Sequence, residues 1–237
     1  MIRTDSLFVD SMPKQKLKRF AEVRTFANVF YLPFEQTKEG LPLKGKWKGD
    51  YFKNDNPLVL ELGCGKGDYT VGLAEKNPGK NFIGIDIKGN RIWKGAKRAL
   101  DEKFSNVGFL RTRIDFIESA FAVNEVNEIW ITFPDPQPNK ERKRLTSEMF
   151  LNRYKNILVP GSVVHLKTDN LALHEYTLEL LEENKYNILA CTTDLYNDTA
   201  VHADEARAIQ TFYESKYLKQ GKKINYVKFV FSQTDHK

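Results

Sequence analysis

Leu58-Val-Leu-Glu-Leu-Gly-Cys-Gly-Lys-Gly-Asp68 is the stretch on which the reading of this chain turns. An apolar run, Leu58 to Leu62, is interrupted only by Glu61. It ends in three glycines at alternate positions, Gly63, Gly65 and Gly67. A helix-like pattern follows in Tyr69, Val71, Leu73 and Ala74. The order is a strand, a tight turn and a helix start. Glycine permits the sharp turn and lets backbone N–H groups approach a ligand closely. A second apolar run, Phe82-Ile-Gly-Ile-Asp86, also ends in an acid. Asp86 stands 19 positions after Gly67, where a βαβ nucleotide site places its ribose-binding carboxylate.

The dinucleotide fingerprint is G-x-G-x-x-G. Here the third glycine comes one residue early, giving E-x-G-x-G-x-G, and an NAD-dependent oxidoreductase fails on that spacing. The pattern resembles motif I of class I S-adenosylmethionine-dependent methyltransferases. A turn that holds no nucleotide is the bland alternative.

Outward from the glycines, strand-like and helix-like segments alternate, the signature of a parallel sheet with helices on both faces. Strands are expected at about 57–62, 81–86, 107–112, 128–133, 162–167, 186–193 and 224–231. Helices are expected at about 67–76, 89–103, 115–121, 145–158, 171–184 and 204–219. The 89–103 helix would turn Ile92, Trp93, Ala96 and Leu100 to one face. Residues 31–57 contain Pro33, Gly40, Pro42, Gly45, Gly49 and Pro57, which forbid long helices and central strands. Trp47 and Tyr51 are candidates to anchor that segment. Residues 1–56 are therefore expected to form a basic arm and connection, and residues 57–237 the α/β domain.

At 237 residues with 41% hydrophobic content the chain can bury a large core. Its net charge of +6 suits a polyanionic partner, and Lys14, Lys16, Lys18, Arg19 and Arg24 concentrate charge in the arm, as phosphate contacts or as a solvated face. Two cysteines, Cys64 and Cys191, exclude a disulfide framework or a four-cysteine zinc site, and the four histidines lack ligand spacing. No metal and no membrane span are expected, and the start lacks a signal-peptide core, so a cytoplasmic protein is expected. Monomer and homodimer both stay open.

The fourth strand runs into Phe133-Pro-Asp-Pro-Gln-Pro138 and then the basic cluster Lys140-Glu-Arg-Lys-Arg144. Ligands of open α/β sheets sit at the carboxyl ends of strands, so prolines around Asp135 would fix one carboxylate at the site. F-P-D-P with a downstream basic cluster, Lys167-Thr-Asp169 and Thr211-Phe-Tyr-Glu214 resembles the bacterial tRNA (guanine-N7)-methyltransferase family, and the likeness extends over about residues 57 to 231.

That resemblance implies a seven-stranded, mostly parallel, Rossmann-like class I sheet whose last strand inserts antiparallel between the two before it. It implies methyl transfer from S-adenosylmethionine to N7 of the guanine at nucleotide 46 in the tRNA variable loop. Glu61, Gly63, Gly65, Gly67, Asp86 and Asp115 would bind the cofactor. Asp135 would be catalytic and would touch the cofactor too. Asn139 or Lys140, Asp169, Thr211, Phe212, Tyr213 and Glu214 would contact substrate, and Lys140, Arg142, Lys143 and Arg144 would hold the tRNA backbone. The chain departs from the family at Gln137, where Trp is usual, and at Asn139, where Lys is usual. Thr211-x-x-Glu214 is also a helix capping box, and Asp169 could be only a helix N-cap. A methyltransferase for another base or a small molecule, or a non-catalytic RNA-binding module of this fold, are the competing readings.

Overall fold

A strand buried on both faces reads as a nearly continuous apolar run, and β2 of the sheet (Leu58–Leu62) has all five residues buried, Glu61 the one polar residue among them. The first strand, β1, is Val29–Tyr31, preceded by helix α1 (Ser11–Glu22). After β2 come α2 (Asp68–Lys76), β3 (Asn81–Asp86), α3 (Gly89–Asp101), β4 (Val107–Arg111), α4 (Ile117–Ala120) and β5 (Val126–Thr132). Then follow α5 (Glu148–Ile157), β6 (Leu158–Thr168), α6 (Leu171–Glu183), β7 (Asn187–Thr192), α7 (Asp204–Arg207), α8 (Phe212–Lys219) and β8 (Asn225–Val230). The computed structural model describes residues 11–231, without the side chains of 11–15, 212 and 213.

The sheet order is β1-β4-β3-β2-β5-β6-β8-β7. All pairs are parallel except those of β8, which runs antiparallel between β6 and β7. The inserted last strand is as expected, but the sheet has eight strands rather than seven. The extra one is β1, three residues paired to β4 at the edge (Val29 opposite Phe109). A strand this short carries too little alternation to be read from sequence.

The connecting segment is pinned as its aromatics suggest. Trp47 is fully buried, stacks on Phe121 with centroids 5.6 Å apart, and donates its Nε1–H to Ala120 O at 3.0 Å. Tyr51 Oη donates to Val107 O at 2.7 Å. Trp47 begins a short π-helix, Trp47–Phe52. Helix α1 lies on α3, where Trp93 Nε1 donates to Glu22 Oε2 at 3.0 Å and the Arg19 guanidinium sits 4.6 Å over the Trp93 ring.

Two expectations are corrected. Leu100 is 40% exposed, and α3 is buried instead through Gly89, Ile92, Gly95, Ala96 and Ala99. The helix expected over 204–219 is two helices, broken at Thr211, which N-caps α8 with a complete capping box. No helix among the described residues is long and apolar enough to cross a membrane. Among the described residues no group of three or more His, Cys, Asp or Glu side chains is placed to hold a metal ion.

Candidate active site

The chain builds β2, β3 and β4 outward on one side and then returns to place β5 against the other side of β2. That reversal opens a crevice at the carboxyl ends of β2 and β5, the place where such sheets bind ligands. Two adjoining recesses occupy it. One, of about 460 Å³, is lined by Glu61, Gly63, Lys66, Thr132, Asp169 and Thr211 among others. The other, of about 320 Å³, includes Asp86, Ile87, Ile114, Asp115, Gln137 and Lys143. Gly63 borders both.

The three glycines do different work. All have positive φ (76°, 55° and 71°), which side chains rarely adopt. Gly63 is exposed, and nothing lies within 4 Å of where a Cβ would stand, so it offers bare backbone to the crevice. Gly67 is a packing glycine: a Cβ would lie 2.7 Å from the Phe109 ring and 3.1 Å from Gly95 Cα. Gly95 in turn lets α3 approach the turn, since its own Cβ would stand 2.7 Å from Lys66 O. No local pattern marks Gly95, because its role depends on contact with a turn 28 positions earlier.

Asp86 holds the turn shut. Its Oδ2 accepts from Gly65 N at 2.9 Å and its Oδ1 from Lys88 N at 2.7 Å. Asp115 lies across the smaller recess, paired with Arg113 at 3.2 Å and Arg153 at 3.7 Å. Glu61 is buried at the floor. Its Oε2 accepts from Thr70 N at 2.8 Å and from Thr70 Oγ1, and its Oε1 accepts from Thr132 Oγ1 at 2.7 Å. One carboxylate thus ties the end of β2 to the start of α2 and the end of β5. Burial also pushes the Cys64 thiol well up, consistent with a small packing residue.

The rim comes from three loops. Asp135 is exposed, and its Oδ1 accepts from Gln137 N at 3.1 Å. Pro134 and Pro136 on either side of it line the larger recess. Asp169 lines that recess as well and pairs with Lys222 at 3.3 Å. It is not the N-cap of α6; Asn170 is, accepting from Leu173 N at 2.8 Å.

Several expected contacts are placed elsewhere. Asn139 and Lys140 are exposed and line neither recess; Gln137 and Lys143 of the same loop do. Glu214 is wholly buried, so it faces inward to Lys167 at 2.7 Å rather than towards a substrate. Thr211 lines the recess while also capping α8. The side chains of Phe212 and Tyr213 lie outside the described residues. Arg144 is not a surface cation: it is 8% exposed, donates through Nε to Pro136 O at 3.1 Å, and packs 4.2 Å over the Tyr176 ring.

Against known proteins, the family described as "Putative methyltransferase" matches residues 55–227. A tRNA (guanine-N(7)-)-methyltransferase of Christiangramia forsetii is 54% identical over 219 residues, covering 91% of this chain and 97% of that one. This chain belongs to the tRNA (guanine-N(7)-)-methyltransferase family. A family member from Porphyromonas gingivalis is 50% identical over 90% of this chain and 88% of its own. One from Clostridium novyi is 38% identical over 82% and 89%. The 16S rRNA methyltransferase KamB superimposes with a TM-score of 0.57 at 15% identity, over 84% of this chain and 92% of that structure, and so shares the fold.

Glu61 gives this crevice a pH dependence of its own. Burial pushes its carboxyl up to about 7, against the lowering effect of the Thr70 and Thr132 hydrogen bonds. A raised folded-state pKa favours the protonated carboxyl. Its stabilising share is therefore complete below the ordinary carboxylate range and is lost as pH rises through about 7. Glu61→Gln can keep the Thr70 and Thr132 partners and cannot ionise. Its unfolding free energy is expected to gain on wild type between about pH 4.5 and about pH 7, with a slope of up to roughly 1.4 kcal/mol per pH unit, and to level off above that. A difference that stays flat in denaturant titrations across that range would refute the assignment.

Proposed function

We propose that this protein transfers a methyl group from S-adenosylmethionine to N7 of guanine in tRNA, at nucleotide 46 of the variable loop. The observation that carries the reading is one crevice in which the bare Gly63 turn and the acids Glu61, Asp86 and Asp115 adjoin the rim formed by the Asp135 loop, Asp169 and Thr211. The donor set fits the cofactor. A net-cationic sulfonium ligand suits a recess lined by carboxylates, and its ribose hydroxyls suit Asp86, whose oxygens keep lone pairs after accepting one backbone N–H each. Asp115 would stand near the adenine, and Ile87 and Ile114 supply apolar wall beside it. When bound, S-adenosylmethionine supplies an electrophilic methyl group on its sulfonium.

Guanine N7 carries an unprotonated lone pair at neutral pH, so no residue has to remove a proton from it. What is left to the protein is positioning and electrostatics. The Watson–Crick edge of guanine presents two donors, N1–H and the exocyclic amine, and carboxylates accept both. Asp135 and Asp169 stand at the rim for that task. They would orient the base and stabilise positive charge as it develops on the ring. Thr211 adds a polar contact from the start of α8. Exposed Lys140, Arg142 and Lys143 would hold tRNA phosphates, which makes the interaction steeply salt-dependent. The enzyme would act with its tRNA in the cytoplasm.

Incubation with bulk tRNA and methyl-labelled cofactor, followed by nucleoside analysis, is expected to place the label in 7-methylguanosine. Strand scission at that base is expected to map to nucleotide 46. Label in another nucleoside would leave a methyltransferase of different specificity, and no label would favour the non-catalytic module.

A further inference from the structure

A third cavity, of about 510 Å³, adjoins the recess that holds Asp86 and Asp115, and Ile87, Thr112 and Arg113 line both. Its size falls within the roughly 300–1,000 Å³ range of small-molecule sites. The two recesses differ in charge. The recess beside Asp86 and Asp115 mixes those acids with Arg113 and Lys143. The outer cavity is lined by Arg24, Arg111 and Arg113, of which Arg113 pairs with Asp115 of the neighbouring recess, and no acidic side chain lines it. Its apolar surface is aromatic and open: Phe34 is 70% exposed and Ile87 50%. The Phe34 and Phe116 rings meet at 5.6 Å, tilted by 46°. The arginines are already arranged around rings, with Arg24 and Arg111 at 5.4 Å and 4.8 Å from the Phe20 centroid.

We propose that this cavity is a second RNA subsite, which takes one unpaired nucleotide of the tRNA substrate. The base lies against Phe34 and Phe116, and the phosphate against Arg24 and Arg111. Flat rings and guanidinium planes are what unstacked bases pack on, and arginines without acids are what phosphates require. The inference rests on the tRNA reading above. Tyr31 at the end of β1 and the Leu32-Pro33-Phe34 segment after it form one side of the cavity, so the edge strand has a part in it.

The test is a titration of labelled tRNA against Phe34→Ala, Phe34→Tyr and Arg24→Ala, with cofactor affinity measured calorimetrically on each. Phe34 and Arg24 are exposed, so the variants are expected to fold. Loss of one base stack is expected to weaken tRNA binding by roughly 5- to 100-fold in Phe34→Ala. Phe34→Tyr, which keeps the ring, should bind as wild type does. Arg24→Ala should weaken binding and flatten its salt dependence. Cofactor affinity should stay within about twofold, because Ile87, Thr112 and Arg113, which line both cavities, are untouched. Unchanged tRNA affinity in Phe34→Ala overturns the subsite. So does a parallel loss of cofactor affinity, which would assign the cavity to the cofactor, or tight binding of free adenosine monophosphate that Phe34→Ala abolishes while tRNA binding persists. Failure of wild type to methylate tRNA would instead overturn the functional reading, so the two failures are distinguishable.

Discussion

Replacing Glu214 by Gln is expected to remove about 3–5 kcal/mol of folding free energy at neutral pH, the usual cost of stripping one partner from a buried ion pair. Lys167 and Glu214 are both 0% exposed, with Nζ 2.7 Å from Oε1. Lys167 Nζ also donates to Ala206 O at 2.6 Å and Ile209 O at 3.1 Å, and Tyr196 Oη donates to Glu214 Oε1 at 2.6 Å. Burial drives the Lys167 pKa down, and Glu214 opposes that. Without the carboxylate only the lowering effect is left. Folding then favours the neutral amine, and the stability so gained is present above the ordinary lysine range and lost as pH falls. The deficit of Glu214→Gln relative to wild type should therefore shrink as pH rises from about 7 towards about 10. Glutamine is tolerated at the N3 position of a capping box, but it has one acceptor oxygen where Glu214 uses two, Oε1 for Lys167 and Tyr196 and Oε2 for Thr211 N, so the variant loses the charge and one of these acceptors. Against a total of about 5–15 kcal/mol, the loss should show as a large drop in denaturation midpoint. A change under about 1 kcal/mol would mean that Lys167 is already neutral or reaches solvent.

The same pair shows where sequence reading stops. The strands β2 to β6 are legible because central parallel strands are continuous apolar runs, and the glycine turn is legible because its spacing is dictated by backbone geometry. The motif that contains Glu214 points it at substrate by resemblance alone. Its partner lies 47 positions earlier at the end of β6, and no local spacing encodes that pairing. Arg144 reads as the end of a basic run, yet the Pro136 carbonyl and the Tyr176 ring claim it. In both cases tertiary contact overrides a correct local pattern. The break before α8 is half legible: Thr211-x-x-Glu214 spells a cap, but the helical pattern from Ala206 competes with it, and the cap prevails. Gln137, in sequence only a departure from the family, lines the smaller recess where Asn139 and Lys140 do not.

Asp135→Ala is expected to lower kcat by about 100- to 1,000-fold, the range for removing one group preorganised against transition-state charge, while S-adenosylmethionine binds within a few fold of wild type. The separation follows from the loop's construction. Phe133 and Gln137 both hold positive φ, 48° and 46°, a conformation that costs non-glycine residues energy and persists only where the surroundings enforce it. Here the enforcement comes from Pro134, Pro136 and Pro138, from Phe133 N donating to Lys167 O at 2.8 Å, and from Arg144 clamped on Pro136 O. None of these contacts uses the Asp135 side chain beyond its bond to Gln137 N. The alanine variant should therefore keep the loop and lose the carboxylate. Asp135→Asn gives a second reading, because an amide retains one acceptor but turns an N–H towards guanine N1–H or the exocyclic amine, both donors. It should fall nearly as far as alanine if the carboxylate receives guanine N1–H and the exocyclic amine. Arg144→Ala touches no substrate and leaves the carboxylate intact but unclamped, so it should lower kcat by a smaller factor, with tRNA affinity less affected than turnover. Single-turnover methylation with saturating cofactor and tRNA separates these cases. Asp135→Ala retaining more than about a tenth of wild-type turnover would remove Asp135 from the chemistry, and the burden of orienting the base would pass to Asp169 on the facing loop.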